Sequence, residues 1–228
     1  MRTLGIGDIH GCSRALRALL DALQPAADDW VITLGDYVDR GPDSFGVIEQ
    51  LVALHRTGRL VALRGNHEEM MLYARESEEK LHAWLACGGK QALRSYSPLG
   101  DDGKLVDVPD EHWHFLENVC LDWHETDTHI FVHANVYPDL EMDEQPGYML
   151  HWESITCERS VPHSSGKVVV CGHTQQRSGL PLNLGHAVCI DTWAYGQGWL
   201  TCLDVLSGRI WQANQAGRVR TLWLHEIG

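Results

Sequence analysis

The sequence predicts an α/β fold, and three observations carry that expectation. Short apolar runs alternate with amphipathic stretches through the first third of the chain, in the order β-α-β-α-β-α. Each run gives way at once to a loop of glycine and charge: Gly7-Asp8-Ile9-His10-Gly11, then Gly35-Asp36-Tyr37-Val38-Asp39-Arg40-Gly41, then Arg64-Gly65-Asn66-His67-Glu68. Two later apolar runs end in the same way, in Phe131-Val132-His133-Ala134 and Cys171-Gly172-His173-Thr174. This is the pattern of a mainly parallel sheet covered by helices, with polar loops gathered at one end of its strands.

Taken in order, residues 3–9 read as a strand, and Ser13–Leu23 as a helix whose Leu16, Leu19, Leu20 and Leu23 share one face. Residues 30–34 form a second strand. Ser44–His55 is a helix, with Asp43 or Ser44 as N-cap and an apolar stripe of Val47, Ile48, Leu51 and Leu54. A third strand over 60–63 leads into a helix from about 68 to 75, with Glu68 favouring its positive end. Residues 97–110, rich in Gly, Pro and Asp, read as a loop or small cap. Strands resume over 129–133 and 167–171. The tail, 187–224, reads as antiparallel strands joined by turns such as Tyr195-Gly196-Gln197-Gly198. One domain over residues 1–228 is expected, with an irregular insertion at about 76–128 near the site.

Composition narrows the function classes. The 228 residues are 44% hydrophobic with a formal net charge of -13, so a nucleic-acid backbone is not an expected partner. No run of Lys and Arg makes a local basic patch. The N-terminus lacks the long apolar stretch of a signal peptide, and no window reaches the roughly 18 apolar residues of a membrane span. Seven widely spaced cysteines with no CxxC pair argue for reduced thiols, mostly small core residues, in a cytoplasmic protein.

Ligands of open α/β sheets bind beyond the carboxyl ends of the strands. Asp8, His10, Asp36, Asp39, Arg40, Asn66 and His67 should therefore crowd one sheet edge, joined by His133 and His173. Three carboxylates, an asparagine and four histidines would repel or stay unsatisfied there without a cation. Imidazole with carboxylate suits Mn, Fe or Zn, and the number of donors exceeds what one ion takes, so two divalent ions sharing a carboxylate are expected. Singly, each motif is weak: Asp-x-His is common by chance, and a late His is more often structural. Five in order, each after a strand, is a specific signal.

Through GDIHG, GDYVDRG, RGNHE, VHA and GHT the chain resembles the calcineurin-like metallophosphoesterases, in particular the compact bacterial and phage serine/threonine phosphoprotein phosphatases. The resemblance runs from about Asp8 to His173. Asp191-Thr192 is similar to that family's late Ile-Asp-Thr-Gly segment, with Trp193 where the glycine stands. It implies two mixed β-sheets packed as a sandwich flanked by helices. It also implies two divalent metal ions, Mn²⁺ being the expected pair with Fe or Zn as alternatives. Asp8 and His10 would hold the first ion, Asp36 would bridge, and Asn66, His133 and His173 would complete the second. His67 would be the general acid, oriented by Asp39, and Arg40 would clamp the phosphate. Relatives carry a second phosphate-binding arginine; Arg159 is the candidate here, with Arg177 and Arg64 as alternatives.

The implied reaction is in-line hydrolysis of phosphoserine, phosphothreonine and phosphotyrosine in a phosphoprotein or phosphopeptide. The enzymatic rival is the symmetrical dinucleoside tetraphosphatase, or a phosphatase of small phosphoesters and nucleotides; the tetraphosphatase branch usually has Ala where Asp39 stands and Asp where Glu68 stands. A non-enzyme rival is an inactive phosphatase fold serving as a binding scaffold. Substrate selection falls to the walls, expected in residues 76–128 and 137–152 with Trp84, Trp113, Tyr148 and Trp152. His112, His114, His151 and His163 read as surface or loop residues, and Cys12 as a small residue at a helix start. The oligomeric state is left open.

Overall fold

Two mixed β-sheets lie face to face in a computed structural model that describes residues 1–97 and 102–227. The first sheet has the order β11 (Val219–Trp223), β10 (Arg209–Ala213), β9 (Leu200–Asp204), β1 (Thr3–Ile6), β2 (Trp30–Thr33) and β3 (Leu60–Ala62). The second runs β4 (Trp123–Glu125), β5 (His129–Val132), β6 (Val168–Cys171), β8 (Ala187–Cys189) and β7 (Leu182–Asn183). Strands β1, β2 and β3 are parallel, as are β5, β6 and β8, whereas β9, β10 and β11 extend the first sheet antiparallel.

Strand periodicity divides the core into layers. Ile32, Phe131, Val170, Val188, Leu203 and Ile210 meet between the sheets. Leu4, Ile6 and Val31 face outward from the first sheet onto α1 (Ser13–Leu23) and α2 (Ser44–His55), which bury Leu16, Leu19, Leu23, Val47, Ile48 and Leu51. Ile130, Val132, Val169 and Cys171 face the other way, against Leu150 of α7 (Gly147–Trp152). The result is the expected sandwich flanked by helices.

Several elements depart from expectation. Strands β1, β2 and β3 stop earlier than 9, 34 and 63, because the backbone turns into the polar loops as soon as the core ends. Helix α3 (Asn66–Tyr73) begins two residues before Glu68, which places Asn66 and His67 in its first turn. In the tail, β8 belongs to the second sheet and runs parallel to β6. The 76–128 segment is largely helical, with α4 (Glu78–Trp84), α5 (Lys90–Tyr96) and α6 (Asp110–His114). π-turns at Leu85–Gly89 and Phe115–Val119 shift the helical phase and erase the periodic signal. The loop expected over 97–110 lies partly outside the described residues; from residue 102 it holds a 3₁₀ turn, Leu105–Asp107.

Trp84 and Trp113 are buried and cannot form open walls, whereas Tyr148 and Trp152 are exposed. His112, His151 and His163 are buried rather than superficial, because each is partnered. His112 bonds Glu49 and Tyr96, His151 bonds Glu69, and His163 bonds Ser165 and the Leu140 carbonyl. His114 is exposed. All seven cysteines are free, and five, including Cys12, are buried.

Candidate active site

The loops after β1, β2, β3, β5, β6 and β8 converge at one edge of the sandwich. They are strained. Of the seven non-glycine residues with positive φ among the described residues, six lie in these loops: His10, Asp36, Asp39, Arg40, His173 and Trp193. Left-handed backbone at such residues costs energy and is held only where the surroundings over-determine it, as at functional sites. Trp193, at φ 65°, adopts a conformation glycine would take at lower cost. Glycine is required where backbone passes the carboxylates. A Cβ on Gly65 would sit 2.2 Å from Asp36 Oδ1, and one on Gly172 would sit 2.0 Å from Asp8 Oδ1.

Asp36 occupies the centre. Its Oδ2 lies 3.3 Å from His10 Nε2, and its Oδ1 lies 3.4 Å from His133 Nε2. Two groups of donor atoms share it, His10–Asp36–His67 and Asp36–His133–His173, with the atoms of each group within 4.8 Å of one another. Asn66 Oδ1 lies 3.0 Å from His133 Nε2 and 3.1 Å from His173 Nδ1. Asp8 is at the same edge but outside both groups, its carboxylate accepting the His173 backbone N–H at 3.0 and 3.1 Å.

The ring tautomers show what this space is built for. A carbonyl can only accept, so His10 Nδ1 donates to Val38 O, His133 Nδ1 to Leu34 O, and His173 Nε2 to Trp152 O. Burial pushes His10 down to about 3 and His133 down to about 4, so both rings are neutral near pH 7. His133 Nε2 therefore presents a lone pair toward Asp36 Oδ1 and Asn66 Oδ1, acceptor against acceptor, and His10 Nε2 presents one toward Asp36 Oδ2 while accepting from Arg40. Burial and the charges of Asp191 and Asp36 raise Asp8 well above the usual carboxylate range, and burial pushes Asp191 up to about 6. Converging lone pairs and crowded buried carboxylates are relieved by cations, and the mixed N/O donor set fits divalent transition ions.

A second group adjoins this one. His67 Nδ1 lies 2.6 Å from Asp39 Oδ2, both residues being buried. Its Nε2, 4.0 Å from Asp36 Oδ2, is a buried ring nitrogen with no hydrogen-bond partner. Burial disfavours the imidazolium, but the charges of Asp36 and Asp39 outweigh it and His67 is raised above its ordinary value. Trp84 Nε1 donates to both Asp39 oxygens, at 2.8 and 3.0 Å. Glu68 folds back from α3 to accept the N–H groups of Asp36, Tyr37, Val38 and Gly65 at 2.7–3.2 Å. It thereby fixes the loop that carries Asp36.

The arginines divide. Arg40 donates to His10 Nε2 at 3.0 Å and stacks over Tyr195, 5.1 Å from the ring centroid. Arg159 is exposed, apart from these residues, and lines a cavity of about 290 Å³ with Tyr137, Tyr148 and Ile155. Arg64 is consumed by the carbonyls of Leu116, Glu117 and Cys120. Arg177 bonds Gln175, which bonds the Tyr195 hydroxyl, linking it to the same wall as Arg40.

Sequence reasoning left Tyr195 without a role at the site, placed Trp84 on a substrate wall rather than behind Asp39, and gave Asp191 only a likeness. Asp191 carries the signal of the others, an acid straight after an apolar run. Trp84 is 45 positions from Asp39 and carries no local signal.

The calcineurin-like phosphoesterase family model matches residues 1–177, and the chain belongs to that family. A serine/threonine-protein phosphatase 1 from Salmonella typhimurium is 32% identical over 203 residues, covering 86% of this chain and 88% of the relative. A symmetrical bis(5'-nucleosyl)-tetraphosphatase from Burkholderia pseudomallei is 35% identical over 107 residues, but the match spans 47% of this chain and only 32% of that protein. The crystal structure of a candidate diadenosine tetraphosphatase shares the fold with a TM-score of 0.63 at 20% identity, covering 97% of this chain and 93% of that one. Family membership makes the chain a phosphoesterase of a class that uses divalent metal ions.

Proposed function

We propose that this chain is a phosphomonoesterase acting on phosphoserine and phosphothreonine in proteins, with a pair of divalent cations, Mn²⁺ foremost. Asp8, His10, Asp36, Asn66, His133 and His173 would hold the pair. When bound, two such ions supply the charge that acidifies a water and offsets that of the phosphoryl group. Arg40 presents its guanidinium at the same edge and binds phosphate oxygens, for which its planar fork is suited. His67 keeps its proton on Nε2, the nitrogen free of other partners, and gives it to the departing serine or threonine oxygen. Asp39 accepts from Nδ1, fixing the ring and stabilising its protonated form. Phe131, Ile190 and the other residues packed beneath the loops keep water out of the floor.

The observation that carries this reading is the buried Asp39–His67 pair with its unpartnered Nε2. An alkyl ester has a poor leaving group and needs a proton donor, whereas a polyphosphate leaves as a stabilised anion. The Salmonella phosphatase supports the same choice, because the likeness spans 88% of its length. The competing reading, a symmetrical tetraphosphatase, draws support from the Burkholderia match over 107 residues. Purified protein with Mn²⁺, assayed on a phosphopeptide panel and on a dinucleoside tetraphosphate, tests the choice. Phosphopeptides should show the higher kcat/KM. A tenfold advantage for the tetraphosphate, about 1.4 kcal/mol of transition-state preference, overturns it.

A further inference from the structure

The α4–α5 hairpin docks directly on the phosphate-clamp loop. Arg40 N donates to Gly88 O at 3.3 Å, and a Cβ on Gly88 would stand 2.8 Å from Arg40 N. Beside this contact opens a cavity of about 530 Å³, bounded by Arg40 and Tyr195 on the site's side and by Cys87, Lys90 and Gln91 on the hairpin. No acidic side chain among the described residues lines it.

Lys90, exposed on the hairpin, has no ionic partner among the described residues, whereas Lys80 bonds Glu76 and Lys167 bonds Glu125. It also stands at the first position of α5, where a cation opposes the helix dipole. Its neighbour across the cavity is the arginine assigned to the reacting phosphate, and two unneutralised cations around one polar recess attract anions.

We infer that Lys90 and Arg40 frame a subsite for a second anionic group of the substrate, held beside the phosphoryl group being hydrolysed. The inference rests on the proposed function: in a phosphopeptide the occupant is an aspartate, glutamate or second phosphoresidue flanking the target serine or threonine. Gln91 and the Tyr195 hydroxyl add neutral polar contacts to the same recess. The same chemistry would accept the neighbouring phosphates of a nucleoside polyphosphate, and the assay separates the two sources.

The test measures kcat/KM with Mn²⁺ for wild type, Lys90→Ala, Lys90→Glu and Lys90→Arg. The substrates are two phosphoserine peptides differing only by Asp or Asn beside the target, a dinucleoside tetraphosphate and nitrophenyl phosphate. Wild type should favour the Asp peptide by roughly twofold to tenfold, the net worth of one hydrogen bond at an exposed site. Lys90→Ala should remove that ratio, Lys90→Glu invert it, and Lys90→Arg restore it. An Asp/Asn ratio unchanged by Lys90→Ala, or equal losses on all substrates, overturns the subsite. If wild type hydrolyses no peptide but does hydrolyse the tetraphosphate, the protein-phosphatase reading fails by itself. The subsite then stands on a selective loss of tetraphosphate relative to nitrophenyl phosphate in Lys90→Ala, and falls if the two decline together.

Discussion

Trp84 Nε1 holds Asp39 through both carboxylate oxygens, at 2.8 and 3.0 Å, while Asp39 Oδ2 holds His67 Nδ1 at 2.6 Å. The indole belongs to α4, far in sequence from the strand-end loops, and fixes the group that fixes the acid. Trp84→Phe keeps most of the buried ring and removes the N–H. Leaving a buried carboxylate short of one donor costs about 1–3 kcal/mol of stability, read as a lower urea midpoint. The same change should lower kcat/KM on a phosphoserine peptide about tenfold while changing nitrophenyl phosphate turnover far less. Equal losses on both substrates would reduce Trp84 to a packing residue.

His67→Asn carries the same signature more strongly. A general acid contributes roughly 10²–10⁴-fold, and only where the leaving group needs protonation. Phosphopeptide turnover should fall by that range, and nitrophenyl phosphate, whose phenolate departs unaided, should fall much less. A leaving-group-independent loss removes His67 from the role.

Stability at low pH should report Arg2 and Asp29. Arg2 meets Asp29 through Nε and NH2 at 2.9 and 2.6 Å, and this pairing lowers Asp29 from 3.8 to about 2. A carboxyl depressed on folding stabilises the protein above its unfolded value, and the contribution disappears as pH falls through about 2. The shift corresponds to about 2 kcal/mol. Asp29→Asn should therefore be destabilised by that order at pH 7, with the gap to wild type closing between about pH 4 and pH 2 in denaturant titrations. A gap independent of pH would mean the pair acts through shape alone.

Chelation should abolish phosphatase activity, and Mn²⁺ should restore it better than Ca²⁺, because imidazole donors favour the transition ion. Full turnover in excess chelator, with metal analysis finding no ion, would exclude the assigned centre.

Much of the site was legible because each polar motif follows an apolar run, and parallel strands carry such motifs to one edge. Helices α1 and α2 have the expected bounds, and their apolar stripes face the core, with Leu20 and Leu54 at the half-buried margins. The 76–128 segment was not legible for a physical reason: the π-turns shift its phase, and Gly88 leaves the helical region at φ 122°. Trp84 was placed on a wall for lack of any partner nearby in sequence; its partner, Asp39, is reached only through tertiary contact. The early start of α3 was hidden because Glu68, read as the helix start, is the third residue of its first turn and reaches back to the N–H of Gly65, the N-cap. Asp8 followed its motif to the right edge but turned its carboxylate to the His173 backbone.

The central claim is that Asp36 joins two groups of donors that hold a pair of cations. Crystals grown with Mn²⁺, with anomalous data collected at the manganese edge, test it most directly. The account predicts two anomalous peaks per chain, one on each side of Asp36, the first within coordination distance of His10 and the second of His133 and His173. Asp36→Asn crystals grown in the same way should lose both. No peak at Asp36 in the wild type, or peaks that persist unchanged in Asp36→Asn, would contradict it.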